Sequence, residues 1–237
     1  MKRSRVSRMV DKQFRMWNRK KERVVTDTRE PAEMPMHSIV AISRQLGSGG
    51  EYIAHHVAKK LGFKIYDKKI VEEISNKSQM RKSQVESLDE RSKHFIEECY
   101  RALMMDSHFL TSSNYFKHLS EVVLTIAQHG KAVIVGRGSH FILGEKTGLR
   151  VRIISSDKNR IRRVMKKEKV DKNKAIKLIR KNDVEKGSFI DLHFGQNIDT
   201  PENFDLIINT DEITPDEAVD LIVWLEKRKM RETKDHC

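Results

Sequence analysis

A strand, a glycine-rich turn and a helix follow one another between residues 38 and 62, and this succession constrains the fold most strongly. The apolar run 39–42 predicts a buried strand, and a helical pattern with one apolar face ends at Gly62. Between them, three glycines fall within four residues: Gly47, Gly49 and Gly50. Glycines let backbone N–H groups converge on an anion, and a helix N-terminus adds partial positive charge. The stretch is therefore typical of a phosphate-binding loop.

The loop departs from the pattern G-x-x-x-x-G-K-[ST], in which the lysine reaches the β- and γ-phosphates and the hydroxyl holds magnesium. When the pattern is aligned on Gly49, Arg44 stands at the first glycine, Gly50 at the lysine and Glu51 at the hydroxyl. A tight turn that binds no ligand is the alternative interpretation. Such a turn needs only one glycine, so the surplus favours phosphate binding.

The loop resembles that of the cytidylate kinase-like P-loop proteins, relatives of the nucleoside monophosphate kinases, whose own loop variant also lacks the lysine. The residues that carry the resemblance are Ser43, Arg44, Gln45, Gly47, Ser48, Gly49 and Gly50. The similarity runs from about residue 39 to the C-terminal helix, although only the loop is specific. The resemblance implies a P-loop NTPase-like fold, phosphate binding by these seven residues, and ATP and Mg²⁺ as cofactors.

Four further short apolar runs alternate with helical patterns, and they predict strands over 63–67, 132–135, 149–155 and 205–210. Five strands alternating with helices predict an α/β fold with three layers, in which a central parallel sheet lies between helices. We expect this domain to span residues 37–230, preceded by a basic arm and linker over 1–36 and followed by a tail over 231–237.

The basic charge of the chain is partly concentrated in its first 30 residues. The net charge is +13, and residues 1–30 contribute 11 − 4 = +7. A loosely docked basic arm is one interpretation, and a helix lying on an anionic partner, membrane or nucleic acid, is the other. No apolar run approaches the roughly 18 residues of a transmembrane helix. The only cysteines, Cys99 and Cys237, are far apart and predict free thiols in the cytoplasm.

Asp67 stands at the C-terminal end of the second predicted strand, the edge at which open parallel sheets gather ligands. The alternative role is the N-cap of the helix that follows, and one side chain can serve both purposes. In the resembled kinases an aspartate at this point lies near the site of phosphate transfer. Asp67 is therefore the predicted catalytic carboxylate and magnesium ligand.

Arg137 lies between two glycines directly after the strand 132–135. Small neighbours allow close approach, and an arginine binds phosphate bidentately. In cytidylate kinases a Gly-Arg pair at this point contacts the monophosphate, so the resemblance makes Arg137 the predicted ligand of the acceptor phosphate. A surface arginine in a turn is the alternative.

Basic residues after the fourth strand supply the remaining candidates. Arg160 and Arg163 are three apart on a predicted helix and so share a face. The segment 166–186 matches the position of the mobile lid of the resembled kinases, whose positive side chains close over the donor phosphates. We expect the two arginines to act in catalysis, and Lys181 and Lys186 to bind phosphate. A solvated basic helix is the alternative.

Three functions are consistent with these residues. The first is ATP-dependent phosphoryl transfer to a nucleoside monophosphate, with CMP as the acceptor by resemblance. The second is a regulatory protein that binds nucleotides with little turnover, which the missing lysine and hydroxyl favour. The third is a nucleic-acid or membrane binder acting through residues 1–30. The sequence sets no oligomeric state.

Overall fold

The computed structural model describes residues 38–76, 114–144 and 148–234, with five further helical positions between 93 and 101. The predicted basic arm and linker over 1–36 lies outside the described residues. No helix in the described part of the chain is both long and apolar enough to cross a membrane.

Five parallel strands form one sheet, as the alternating pattern predicts. The strands are β1 (Ile39–Arg44), β2 (Lys64–Tyr66), β3 (Ala132–Val135), β4 (Leu149–Ile154) and β5 (Leu206–Asn209). Their order across the sheet is β2-β3-β1-β4-β5, and every neighbouring pair is parallel. The chain therefore builds outwards from β1 in both directions, which opens a crevice beyond the carboxyl end of β1.

Helices cover both faces of this sheet. They are α1 (Gly50–Leu61), α2 (Lys68–Asn76), α3 (Asn114–His129), α4 (Ser139–Leu143), α5 (Asp157–Glu168), α6 (Lys172–Phe194) and α7 (Pro215–Lys234), with a 3₁₀ turn at Pro201–Asn203. The sequence pattern predicts a helix over 171–181, whereas α6 continues to Phe194. The last helix also continues past residue 230, the predicted end of the domain.

Alternation along the strands divides the core into two layers. On one face Ile39, Ala41 and Ile134 pack with α2, α3, α4 and α6. On the other, Val40 and Ile42 pack with α1 and α7. Because successive strand residues point to opposite faces, a strand that is apolar throughout can bury both sides. The sheet is thereby sandwiched between two layers of helices.

A small third cluster joins the hairpin formed by α5 and α6 to the loop after β1. Val164 of α5 and Ala175 and Ile179 of α6 are buried together, and Leu46 of the loop packs against them. This contact places the basic hairpin directly beside the glycine loop.

Candidate functional site

The glycine loop connects β1 to α1 in a conformation that requires glycine. Gly47 and Gly49 have φ of +85° and +82°, in the left-handed region. A Cβ on Gly47 would lie 2.7 Å from the carbonyl oxygen of Arg160, so a larger residue is excluded there by space as well. Gly49 is the N-cap of α1 and supplies no side-chain cap. The start of α1 is therefore open to a ligand.

Three successive loop carbonyls are held from outside the loop. Arg160 Nε donates to the carbonyl of Leu46 at 2.9 Å, and Arg163 Nη1 donates to that of Gly47 at 3.3 Å. Thr210 Oγ1 donates to the carbonyl of Ser48 at 2.8 Å. For the N–H groups of the loop glycines Gly47, Gly49 and Gly50, the described residues offer no acceptor. The hydrogen bonds to these carbonyls thus hold the loop in one conformation, and its glycine N–H groups remain available to a ligand.

The polar loop side chains bond to protein groups around them. Ser43 Oγ accepts a hydrogen bond from Arg152 Nη1 at 2.8 Å. Gln45 Oε1 accepts from the backbone N–H of Ser155 at 3.1 Å, and Ser48 Oγ donates to the carbonyl of Gln45 at 2.8 Å. These three predicted phosphate-binding residues therefore join the loop to β4 and close its turn.

Arg44 explains why the loop has no lysine at the expected position. A Cβ on Gly50 would lie 2.5 Å from Arg44 Cβ, and one on Gly136 would lie 2.6 Å from Arg44 Nη1. The side chain of Arg44 thus runs from the start of α1 to the turn after β3, and both glycines make room for it. Burial lowers the pKa of Arg44, while the charges of Glu51 and Asp67 oppose that shift.

Lys186 of α6 reaches the same end of β1, whereas Lys181 does not. Lys186 Nζ donates to the carbonyl oxygen of Arg44 at 2.8 Å. Burial, together with the positive charge of Arg44, lowers the pKa of Lys186 to about 7. The side chain of Lys181 is 75% exposed and lies 3.9 Å from Glu185 on the outer face of α6. Only one of the two predicted lid lysines is therefore at the site.

Arg137 occupies the turn after β3 with a φ of +58°, a strained value for a non-glycine residue. Its guanidinium forms an ion pair with Glu72 of α2 and lies over the ring of Phe189, 5.1 Å from the ring centre. The Nε of Arg137 is buried and has no hydrogen-bond partner in the described structure. The side chain thus lies between α2 and α6 with one donor unused.

A cavity at the carboxyl edge of β1 and β3 brings these groups together. Its wall holds four cationic side chains, one carboxylate, three further polar side chains and an apolar side: Arg44, Lys68, Arg137, Lys186, Glu185, Ser43, His140, Asn182, Phe189, Ile190 and Ile198. Both ring nitrogens of His140 and the Oδ1 of Asn182 are buried without a partner in the described part of the chain. Burial lowers the pKa of His140 to about 3, so its ring is neutral at physiological pH. A cavity of this kind fits an anionic ligand with additional hydrogen-bonding groups.

Asp67 serves as the N-cap of α2. Its Oδ1 accepts the backbone N–H of Ile70 at 2.9 Å. The residue also lies in a second cleft that it shares with Arg44 and Glu51, beside the first cavity. Glu51 is paired with Lys167 at 2.5 Å. Within the described ranges, no three His, Cys, Asp or Glu residues converge as a metal site.

Arg160 and Arg163 of α5 contact the backbone carbonyls of the glycine loop. Arg160 Nη2 contacts both carboxylate oxygens of Asp183 at 2.7 Å, in addition to its bond to the loop. Arg163 donates through Nη1 to Thr210 Oγ1 at 2.9 Å and through Nη2 to the Thr210 carbonyl at 2.6 Å. Both guanidinium groups are thus occupied by protein oxygens. In this arrangement the two arginines position the loop, and their predicted catalytic role stays a prediction.

Sequence reasoning did not identify Thr210, Glu72 and Arg152 as members of the site. Arg152 belongs to an apolar strand, and Thr210 directly follows β5 at the same sheet edge. The position of Thr210 at a strand end was a usable signal, whereas Arg152 lies within β4. Glu72 lies mid-helix, and nothing in the local pattern indicates its pairing with Arg137.

The fold and loop together define a three-layer α/β domain of the P-loop kinase type. The family model for the cytidylate kinase-like family matches residues 39–212, well over half of the chain, and the chain belongs to that family. No curated protein matches it.

Two solved structures are similar to this chain over nearly their whole length. An uncharacterized protein from Eubacterium ventriosum superposes with a TM-score of 0.55 at 20% identity, covering 80% of this chain and 98% of that one. A shikimate kinase from Bacteroides thetaiotaomicron gives a TM-score of 0.44 at 13% identity, covering 80% and 98%. The first likeness supports the fold alone.

Proposed function

We propose that this protein transfers a phosphoryl group from ATP to a nucleoside monophosphate, with CMP as the first acceptor to test. The observation that carries the proposal is the cavity beside the glycine loop. Four cationic side chains line it, Arg44, Lys68, Arg137 and Lys186, against the single carboxylate of Glu185. Phosphoryl transfer depends mainly on positioning the two phosphates and stabilising charge between them. The family and this arrangement both support that chemistry.

The glycine loop is the proposed donor site. Its unpaired N–H groups and the open N-terminus of α1 provide backbone donors for the phosphates of ATP. Arg44 and Lys186 supply the positive charge that a loop lysine would otherwise bring. Lys181 lies on the exposed face of α6, so it would contact the donor phosphates only if α6 changed its position.

Arg137 is the proposed ligand of the acceptor phosphate. Its Nε lacks a partner and its guanidinium pairs with Glu72, which an incoming phosphate would have to displace. Phe189 and Ile190 offer an apolar wall for a base or sugar, while His140 and Asn182 offer hydrogen-bonding atoms. A bare phosphate would leave these polar atoms unsatisfied, so the site favours a larger phosphorylated molecule.

The residues fit Mg²⁺ through a single carboxylate. Asp67 uses Oδ1 to cap α2, and Oδ2 has no partner among the described residues. Mg²⁺ in such sites is held by one or two carboxylates together with substrate phosphates and water. The ion would neutralise charge on the transferring phosphoryl group. We place ATP and Mg²⁺ at this edge of the sheet and propose a cytoplasmic location.

The second candidate is a regulatory protein that binds a nucleotide without turning it over. Gly50 and Glu51 at the lysine and hydroxyl positions favour it, as does the use of Ser43 and Ser48 in bonds within the protein. This candidate uses the same cavity and loop, so binding measurements alone do not separate the two.

A coupled assay of the full chain with ATP, Mg²⁺ and a panel of nucleoside monophosphates tests the proposal. We expect ADP formation that depends on the acceptor and is strongest with one pyrimidine monophosphate. Saturable binding of ATP and a monophosphate without ADP formation would overturn the proposed kinase activity. It would support the second candidate, a regulatory protein that binds nucleotides. Gly49→Asp, which puts a carboxylate into the loop, should abolish both binding and turnover.

A further inference from the structure

The positive charge of the chain is concentrated in two segments, and only one of them is the N-terminal arm. Residues 157–181 hold 12 basic and 3 acidic side chains, a net charge of 12 − 3 = +9. With +7 in residues 1–30, the remainder carries 13 − 7 − 9 = −3. The second basic segment consists of α5 and the first ten residues of α6, which belong to the described domain. Its charge exceeds what the nucleotide site uses.

The basic groove of this hairpin is the cleft lined by Lys158, Arg162, Lys166, Lys169 and Lys172, with Ile161, Met165 and Val170 as its floor. All five cationic residues are exposed. In the part of the chain that the structure describes, none of the five has an ion pair. Other basic residues of the hairpin do have partners: Arg160 pairs with Asp183, and Lys167 with Glu51.

The groove lies on the opposite side of α5 from the glycine loop. Arg160 and Arg163 face the loop, whereas the groove uses Lys158, Arg162 and Lys166, each four residues apart on the other side of the helix. A ligand in this groove would not enter the nucleotide cavity. The groove is therefore a second site that phosphoryl transfer does not explain.

We propose that this groove binds the phosphate backbone of a duplex nucleic acid without reading its sequence. From Lys158 to Lys169 the cations extend about 16 Å along α5, at about 1.5 Å per residue. That length matches the rise of about five nucleotides of one strand in a duplex. Five unpaired cations repel one another, so a row of phosphates would relieve their repulsion as well as attract them.

The lining of the groove favours a duplex over other polyanions. No aromatic side chain lines it, so the stacking platform typical of single-strand binding is missing. An interfacial helix that inserts into a membrane presents apolar side chains to the lipid. The exposed large apolar residues of the described domain lie elsewhere: Tyr52, Val184, Leu192, Ile207, Leu221 and Trp224. The floor residues are half-buried and the five cationic residues are exposed, so the backbone of a duplex would contact the cationic rim of the groove.

Fluorescence anisotropy with a labelled 20-base-pair DNA duplex, over a series of salt concentrations, tests the proposal on the full chain. The double variant Arg162→Glu/Lys166→Glu should lower the affinity at low salt at least about tenfold and reduce the salt slope by about two. The control Lys59→Glu/Lys227→Glu changes the net charge equally at two exposed lysines outside the groove, and should retain most of the affinity. ATP binding should be unchanged in both variants.

The milder variant Lys166→Gln covers the case in which the double variant misfolds, and it should reduce the salt slope by about one. Because the N-terminal arm is identical in all variants, its contribution cancels in the comparison. Equal losses in the groove and control variants would overturn the proposal in favour of attraction by net charge. Groove-dependent binding to vesicles containing phosphatidylserine, without binding to the duplex, would overturn it in favour of a membrane.

Discussion

The ammonium group of Lys186 donates a hydrogen bond to the carbonyl oxygen of Arg44, over 2.8 Å, and thereby ties α6 to the carboxyl end of the central strand. A lysine in the second half of α6 thus reaches the carboxyl end of β1, where we propose that it supplies the charge of the missing loop lysine. Burial lowers the pKa of Lys186 most, the charges of Arg44, Arg152 and Arg160 lower it further, and Asp183 opposes them. A pKa of about 7 places the titration of this amine near neutral pH, and an anion beside it would favour the charged form.

We predict that binding of ATP takes up a proton on Lys186. Folding lowers the Lys186 pKa from 10.5 to about 7, so between these values the amine is neutral in the folded protein and charged in the unfolded chain. Burial of the charged Lys186 amine therefore lowers the free energy of unfolding by its full amount below about pH 7. This loss disappears as the pH rises towards 10.5. A bound phosphate favours the charged amine, so ATP affinity should fall up to about tenfold per pH unit above 7.

Calorimetry at pH 8 in two buffers of different ionisation enthalpy measures this proton uptake. Lys186→Met should abolish the uptake and flatten the pH dependence of ATP affinity above pH 7. Lys181→Met, at an exposed position on the same helix, should retain both. An unaltered pH dependence in Lys186→Met would mean that another group, or none, titrates on binding.

Arg137→Ala should weaken monophosphate binding and leave ATP binding nearly unchanged. A bidentate charged contact contributes about 1.5–3 kcal/mol, or about 10- to 150-fold in affinity. Arg137→Lys should recover part of the loss, because lysine keeps the charge and loses the planar fork. Titration calorimetry with each nucleotide measures both effects. A parallel fall of the two affinities would make Arg137 a general electrostatic or structural residue.

Glu72→Gln tests whether the ion pair of Arg137 competes with the acceptor. Glu72 holds the guanidinium in the described structure, so a phosphate must replace that carboxylate. Removal of the negative charge should raise monophosphate affinity by about two- to fivefold, within the range for exposed ion pairs. A lower affinity would instead show that Glu72 orients Arg137 for binding.

Gly50→Lys should not restore a standard phosphate-binding loop, although it introduces the missing lysine. Its Cβ would lie 2.5 Å from Arg44 Cβ, so the substitution should destabilise the domain by about 1–3 kcal/mol through overpacking. Gly187→Ala, where no atom lies within 4 Å of the new Cβ, should instead stabilise α6 by about 0.5–1 kcal/mol. Urea unfolding of both variants provides the comparison. Improved ATP binding by Gly50→Lys would contradict the role of Arg44 as the reason for this glycine.

Local patterns predict most of the fold because each element carries its own signal. The apolar runs at 39–42 and 132–135 are fully buried strands, and Thr214 and Glu217 form the reciprocal hydrogen bonds of a capping box that their spacing predicts. The end of α6 is different, because its apolar face continues through Phe189, Ile190 and Phe194 after a polar stretch. Packing on the sheet, and not local propensity, decides that length.

The site is less predictable because its pairings join distant segments. The order of the strands places the glycine loop and Arg137 at one edge, as expected from parallel topology. No spacing rule, however, distinguishes Lys186 from Lys181 until the register of α6 against β1 is known. The same holds for Glu72, which meets Arg137 across 65 positions of sequence.

Arg163→Ala should raise the KM for ATP with a much smaller effect on kcat at saturating ATP. Arg163 donates to the Gly47 carbonyl and to two oxygens of Thr210, so its loss loosens the loop before chemistry begins. Each buried oxygen left without a donor costs about 1–3 kcal/mol, and the melting temperature should fall accordingly. Thr210→Val should reproduce the pattern, because it removes the donor to Ser48.

Arg162→Ala is the matched control, since that neighbouring residue lies on the groove side of α5 and should change neither KM nor kcat. Steady-state kinetics and thermal melts of the three variants separate the two roles of Arg163. A fall in kcat with KM and melting temperature unchanged would establish the catalytic role that the family resemblance predicts, because only an interaction made in the transition state produces that signature.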